Sequence, residues 1–166
     1  MPNLPRSPRF PFVATCAVSL GLVGGGVLMA QLLNLAACPL CIVQRMLYLL
    51  LGLTAGIGIA VAGHPRGRRL AAAALAAIAA TGLFVAGYQV WLQRFARDAK
   101  CAVDTPWWEQ LVDWAGAQVP ILFQPNGLCS DAAWKFLGLS IAEWSLLAFT
   151  TLLLLALVTA LRRVRT

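Results

Sequence analysis

Cys38 and Cys41 are separated by Pro39 and Leu40, and Arg45 follows four residues after the second thiol. A Cys-x-x-Cys pair can cycle between dithiol and disulfide by thiolate attack. Proline suits the first position of a helix, where its missing N–H removes no hydrogen bond. This makes Cys38 a helix cap and puts Cys41 in the first turn, where the partial positive charge of the helix N-terminus favours a thiolate. Arg45, at i+4 from Cys41, lies on the same face one turn deeper. No charge occurs between Leu32 and Val43, so Arg45 is alone in an apolar setting. A guanidinium at that depth is expensive unless it snorkels or has a partner. It is either an interface anchor or a support for a thiolate or an electron-rich ligand beside Cys41.

Three further cysteines complete the set. Cys101 and Cys129 would close a loop of 29 residues if they bonded, a constraint of roughly 3.5 kcal/mol in the chain-entropy model. A structural staple and an exchangeable dithiol both fit that pair. Metal binding fits less well, because Cys101 and Cys129 would have to complete the ligand set without paired spacing or a nearby histidine. Cys16 falls inside an apolar run and reads as a small packing residue.

The elements that must position these thiols are membrane spans. The chain of 166 residues is 60% hydrophobic and 11% charged, with a mean hydropathy of +0.78. That is too apolar for an ordinary soluble domain. Spans are expected at about 12–33, 42–62, 70–92 and 141–161, each of the length a bilayer requires. The net charge of +7 does not point to nucleic acid, because the arginines flank spans: Arg6 and Arg9, then Arg66, Arg68 and Arg69, then Arg162, Arg163 and Arg165. By the positive-inside rule both termini and the 63–69 turn are cytoplasmic. Loops 34–41 and 93–140 then share the opposite, periplasmic face, where disulfides persist. The expected fold is all-α: one integral membrane domain, residues 1–166, formed by a four-helix transmembrane bundle.

Leu35-Ala36-Ala37-Cys38 resembles a lipoprotein processing box, but the apolar run before it exceeds a cleavable signal and three more spans follow. Gly21 with Gly25, and Gly52 with Gly56, are small-xxx-small pairs expected to let helices approach closely. In the long loop, Trp107, Trp108, Leu111, Val112 and Ala115 recur near one helical face, with Glu109, Gln110 and Asp113 elsewhere. With Trp114, they predict a short helix in the membrane interface. Pro120, Pro125, Asn126 and Gly127 break the chain before Cys129.

Taken together, these residues resemble the DsbB family, inner-membrane quinone-dependent oxidases that regenerate the periplasmic dithiol oxidase DsbA. The likeness covers nearly the whole chain: four spans, Cys-x-x-Cys with arginine four residues on, and two cysteines in the second outer loop. Trp134-Lys135-Phe136-Leu137-Gly138-Leu139, with Trp144 beyond, is similar to the segment leading into the family's last span. The resemblance implies that Cys101 and Cys129 form the disulfide offered to a DsbA-like partner, with Cys101 making the transient mixed disulfide. Electrons would then pass to Cys38 and Cys41 and on to a non-covalently bound ubiquinone or menaquinone beside Cys41 and Arg45. The helix around Trp107–Trp114 would limit movement of the 101–129 loop. Family members often carry a histidine or a particular glutamine near the outer end of the third span. Here the sole histidine, His64, is at the other end, and Tyr88, Gln89 and Gln93 are the polar candidates.

Three other readings compete. A quinone-linked reductase of the vitamin K epoxide reductase type carries its Cys-x-x-Cys near the outer end of a later span, unlike this chain. A specialised DsbB paralogue would serve one dedicated partner. A membrane scaffold with two structural disulfides would need neither Arg45 nor four thiols on one face.

Overall fold

The computed structural model describes residues 7–95, 106–130 and 134–161. Four helices are long and apolar enough to cross a membrane: α1 (Phe10–Leu32), α2 (Pro39–Val61), α3 (Pro65–Phe95) and, after two short helices and a hairpin, α6 (Ile141–Leu161). The all-α, four-helix expectation is met. At 31 residues, α3 outruns a hydrocarbon core of ~30 Å at ~1.5 Å per residue.

The helix ends follow from local chemistry. Asn34 adopts a left-handed conformation (φ 48°), and the N–H of Leu35 reaches back to the carbonyl of Ala30 at 3.0 Å. This Schellman closure ends α1. Cys38 is extended and caps α2, its sulfur accepting from the N–H of Cys41 at 3.3 Å, with Pro39 first in the helix. The start of α6 is a capping box. Ser140 Oγ accepts from the Glu143 N–H at 3.3 Å, and the Glu143 carboxylate accepts from the Ser140 N–H at 2.7 Å. Glu143 also pairs with Arg94, which ties the end of α3 to the start of α6.

α1 packs along α2, α2 along α3, and α3 along α6, whereas α1 and α6 barely meet. The buried core runs through Phe12, Leu51, Ala55, Ala72, Ala79, Ala86 and Phe149. Tyr48 stacks on Phe149 with ring centroids 4.2 Å apart. Close approach is made at glycines other than most of those expected from sequence. A Cβ on Gly58 would lie 2.3 Å from the Phe12 ring, and one on Gly82 would lie 2.2 Å from the Phe149 ring. Gly52 does meet Leu20, but Gly21, Gly25 and Gly56 face open space. The spacing of the small-xxx-small pairs was right for one helix face, yet α1 presents that face to a gap in the bundle.

At the end of the bundle that carries Cys38, α4 (Trp107–Gln118) and α5 (Pro120–Phe123) lie over the start of α2. The apolar face expected of α4 divides into two stripes. Val112, Ala115 and Gly116 are buried, while Trp107 and Trp114 are 77% and 64% exposed, with Leu111 between them. The i, i+4, i+7 spacing separates Trp107-Leu111-Trp114 from the inward stripe by one residue. This two-sided pattern suits an interfacial helix with one apolar side on the protein and the other toward lipid. Gly116 has no room for a side chain, since a Cβ there would sit 2.9 Å from the Phe123 carbonyl oxygen.

The segment before α6 is a two-residue hairpin, β1 (Lys135–Phe136) antiparallel to β2 (Leu139–Ser140), with Phe136 opposite Leu139. Both turn residues have positive φ, 53° at Leu137 and 82° at Gly138, as a primed turn requires. Phe136 stacks on Trp134 and tilts against Trp144, whose indole N–H donates to the Phe136 carbonyl at 3.0 Å.

Candidate active site

The cap of α2 gathers three sulfurs. Those of Cys38 and Cys41 are 2.7 Å apart, close enough for a ~2.05 Å disulfide to form with little movement. Cys129 arrives from the second loop, hydrogen-bonded to Cys38 and to the backbone N–H of Leu40. The free amides that open a helix need acceptors. Here the Cys38 sulfur takes that of Cys41 and the Cys129 sulfur takes that of Leu40. Cys101 lies outside the described residues. Cys16 packs against the core away from this cluster.

The contact polarises the two thiols that meet across the loops. Cys38 is pushed above the ordinary thiol range, first by its hydrogen bond to Cys129, then by that to Cys41 and by burial. Cys129 is held below that range, first by Cys38 and also by the Leu40 amide, with burial opposing. The contact therefore favours the proton on Cys38 and thiolate character on Cys129.

Two glutamines complete the site from inside the bundle. Gln89 donates through Nε2 to Cys38 and to Cys41, at 3.2 Å in each case. Its Oε1 accepts from Gln44 Nε2 at 2.7 Å. Both are buried, at 2% and 4% exposure. Of the three polar candidates on the third span, Gln89 is thus the one that reaches the thiols. Gln93 instead accepts from Ser140 Oγ at 2.9 Å, and Tyr88 is partly exposed, stacked on Trp91. Sequence reasoning missed Gln44. A polar side chain in a span next to Arg45 was the signal available.

Arg45 lies one turn below Cys41, and its Nη1 donates to the carbonyl of Leu122 on α5 at 3.0 Å. It is therefore partnered rather than free to extend toward water. Cys41, Gln44, Arg45 and Tyr48 together form one wall of a cleft of ≈ 750 Å³. The opposite wall comes from Gly21, Gly25, Gly26 and Met29 of α1, and Trp144, Leu147 and Ala148 of α6 complete it. This is the gap left where α1 and α6 barely meet, and its glycines deepen it.

A thiol triplet at a helix cap thus stands beside an apolar cleft between membrane helices. Residues 8–159 match the family model described as disulfide bond formation protein DsbB. The chain belongs to the DsbB family. It is 40% identical over 148 residues to disulfide bond formation protein B of Dechloromonas aromatica, covering 88% of each chain. It is 34% identical to the protein of that name in Nitrosospira multiformis, over 98% of this chain and 97% of the relative. To disulfide bond formation protein B 1 of Pseudomonas aeruginosa it is 33% identical, over 95% and 97% respectively. Membership makes the chain a disulfide-forming oxidoreductase of the membrane.

Proposed function

We propose that this protein reoxidises a DsbA-like dithiol oxidase at the periplasmic face of the bacterial inner membrane, through Cys101 and Cys129 and then Cys38 and Cys41, into a membrane quinone. The observation that carries the reading is the position of Cys38. It touches Cys129 of the other loop on one side and, on the other, Cys41, which lines the cleft beside Arg45.

The thiol steps balance as follows. A thiolate of the partner attacks Cys101, the Cys101–Cys129 bond breaks, and Cys129 leaves as thiolate. The partner's second thiolate resolves the mixed disulfide, so the partner is oxidised and Cys101 reduced. Cys129 then attacks Cys38 in the Cys38–Cys41 disulfide and expels Cys41 as thiolate. Cys101 attacks Cys129 in turn, restoring the Cys101–Cys129 disulfide and leaving Cys38 and Cys41 as the reduced pair. Each exchange is a thiolate attack on a sulfur, and together they leave the protein reduced by the two electrons that the partner gives up.

The cleft fits a quinone. Its walls are apolar, its few polar groups converge near Cys41, and it opens between α1 and α6. Such a site suits an aromatic ring with an apolar tail. Bound there, a ubiquinone or menaquinone supplies a two-electron, two-proton acceptor for the Cys38–Cys41 dithiol. Cys41 presents its sulfur to the cleft, Arg45 offers guanidinium donors to an electron-rich oxygen, and Gln89 steadies both sulfurs. The cytoplasmic placement of both termini rests on the arginine clusters.

The test is purified protein mixed with a reduced DsbA-like partner and a quinone. Quinone should be consumed in step with partner disulfide. No consumption ends the oxidase reading, and a Cys101→Ser variant with full activity ends the relay through Cys101.

A further inference from the structure

The second loop reaches the first through a backbone latch at a single residue. The Ala37 N–H donates to Asn126 Oδ1 at 2.7 Å. The Ala37 carbonyl accepts from the N–H groups of Asn126 and Gly127, at 2.8 and 3.1 Å. Both main-chain groups of the residue before Cys38 are therefore taken by the residues just before Cys129. The fit is tight: a Cβ on Gly127 would lie 3.0 Å from the Ala36 carbonyl oxygen and 3.1 Å from its carbonyl carbon. Those are backbone atoms, which cannot swing aside as a side-chain tip can.

Neither Ala37 nor Asn126 carries redox chemistry, and neither touches a sulfur in any contact described above. Each is nevertheless adjacent or near-adjacent in sequence to one of the two sulfurs that meet. We propose that Asn126 is a positioning residue for exchange between the two cysteine pairs. Its side-chain oxygen, with the bare backbone at Gly127, docks the second loop on Ala37 so that the Cys129 sulfur stands against Cys38. The inference rests on the relay proposed above and says what sets its inter-loop step. Exchange between two thiols depends on their effective concentration, which orientation raises without any new covalent contact. A loop pinned by three hydrogen bonds spends more of its time in the attacking geometry than one tethered only by chain.

The latch can be read without partner or quinone. In full-length protein with Cys16, Cys41 and Cys101 replaced by Ser, only Cys38 and Cys129 remain to form a disulfide. Its equilibrium with glutathione, read by alkylation and mass shift, reports their effective concentration. Asn126→Ala should lower that value roughly threefold to tenfold, as expected for one hydrogen bond. Asn126→Asp keeps the acceptor oxygen and should stay within about twofold of the parent. Gly127→Ala should lower it by a separate, steric route. The Cys38–Cys41 pair, measured in protein lacking Cys101 and Cys129, should be unmoved by Asn126→Ala because the α2 turn and Gln89 hold it. The proposal is overturned if Asn126→Ala leaves the Cys38–Cys129 equilibrium unchanged, or if it shifts both pairs alike. Should the wild type consume no quinone while Asn126→Ala still weakens the Cys38–Cys129 pair, the latch stands and the oxidase reading falls.

Discussion

Gln44 donates to Gln89 at 2.7 Å, and that one bond fixes which way the Gln89 amide points. With its oxygen occupied, Gln89 presents N–H to the sulfurs of Cys38 and Cys41. A flipped amide would present an acceptor instead, which disfavours negative charge on sulfur. Gln89→Leu should therefore slow quinone-coupled turnover by about tenfold, the scale of one hydrogen bond to a charged group. Gln44→Leu should give part of the same loss, and the double variant should be no slower than Gln89→Leu. Initial rates of the three variants form the cycle. Losses that simply multiply would mean the two amides act independently.

Arg45→Ala should raise the apparent KM for a soluble short-chain quinone about tenfold or more, the loss of a charged donor. The KM for the reduced partner should change far less, because Arg45 lines the cleft and meets the second loop at the Leu122 carbonyl rather than at Cys129. Steady-state kinetics with each substrate varied in turn separates the two. An unchanged quinone KM would leave Arg45 as an anchor for the Leu122 carbonyl and nothing more.

Gly82→Ala should destabilise the bundle by about 1–3 kcal/mol, the usual effect of overfilling a packed site. The new methyl group would strike the Phe149 ring, which is itself held against Tyr48. Gly25→Ala meets open space and should change stability by no more than about 0.5 kcal/mol. Unfolding of both variants in the same detergent gives the comparison, and equal effects would contradict the packing described.

Cys129 should titrate below the ~8.5 of an ordinary thiol, because donors on its sulfur favour the thiolate. The first of those donors is Cys38, so Cys38→Ala should move the titration upward. The sign follows directly: near neutral pH the variant holds less thiolate, and alkylation of Cys129 should be slower than in reduced wild type. Above both titration midpoints the two rates should converge. Peptide-resolved alkylation across pH measures this, and a midpoint unmoved by Cys38→Ala would deny the contact.

The sequence revealed what local rules govern. Pro39 after Cys38 told of a capped helix, and the apolar runs told of four long helices, because both signals are written in consecutive residues. It did not reveal what depends on packing at long range. Gly21 and Gly25 have the spacing of a helix interface, yet only the scant packing of α1 on α6 shows that they line a cleft. Gln89 stood among three polar candidates, and its choice over Tyr88 and Gln93 depends on the rotation of α3 against α2. Asn126 and Gly127 read as a chain break, since a loop's partner is invisible when it lies 89 residues away. The hairpin at Leu137 was hidden for another reason: a leucine at positive φ contradicts the usual turn chemistry.

The sideways opening between α1 and α6 has a kinetic consequence. A solute that enters the cleft through it is delivered by the bilayer and is counted per lipid molecule, not per litre. Adding inert phospholipid at fixed protein and fixed total solute would thin out that supply, while leaving untouched whatever meets Cys129 from the aqueous side. The two ends of the proposed relay would thus obey two scales of concentration. Surface area governs one and volume the other, and the three sulfurs at the head of α2 sit at the boundary between them.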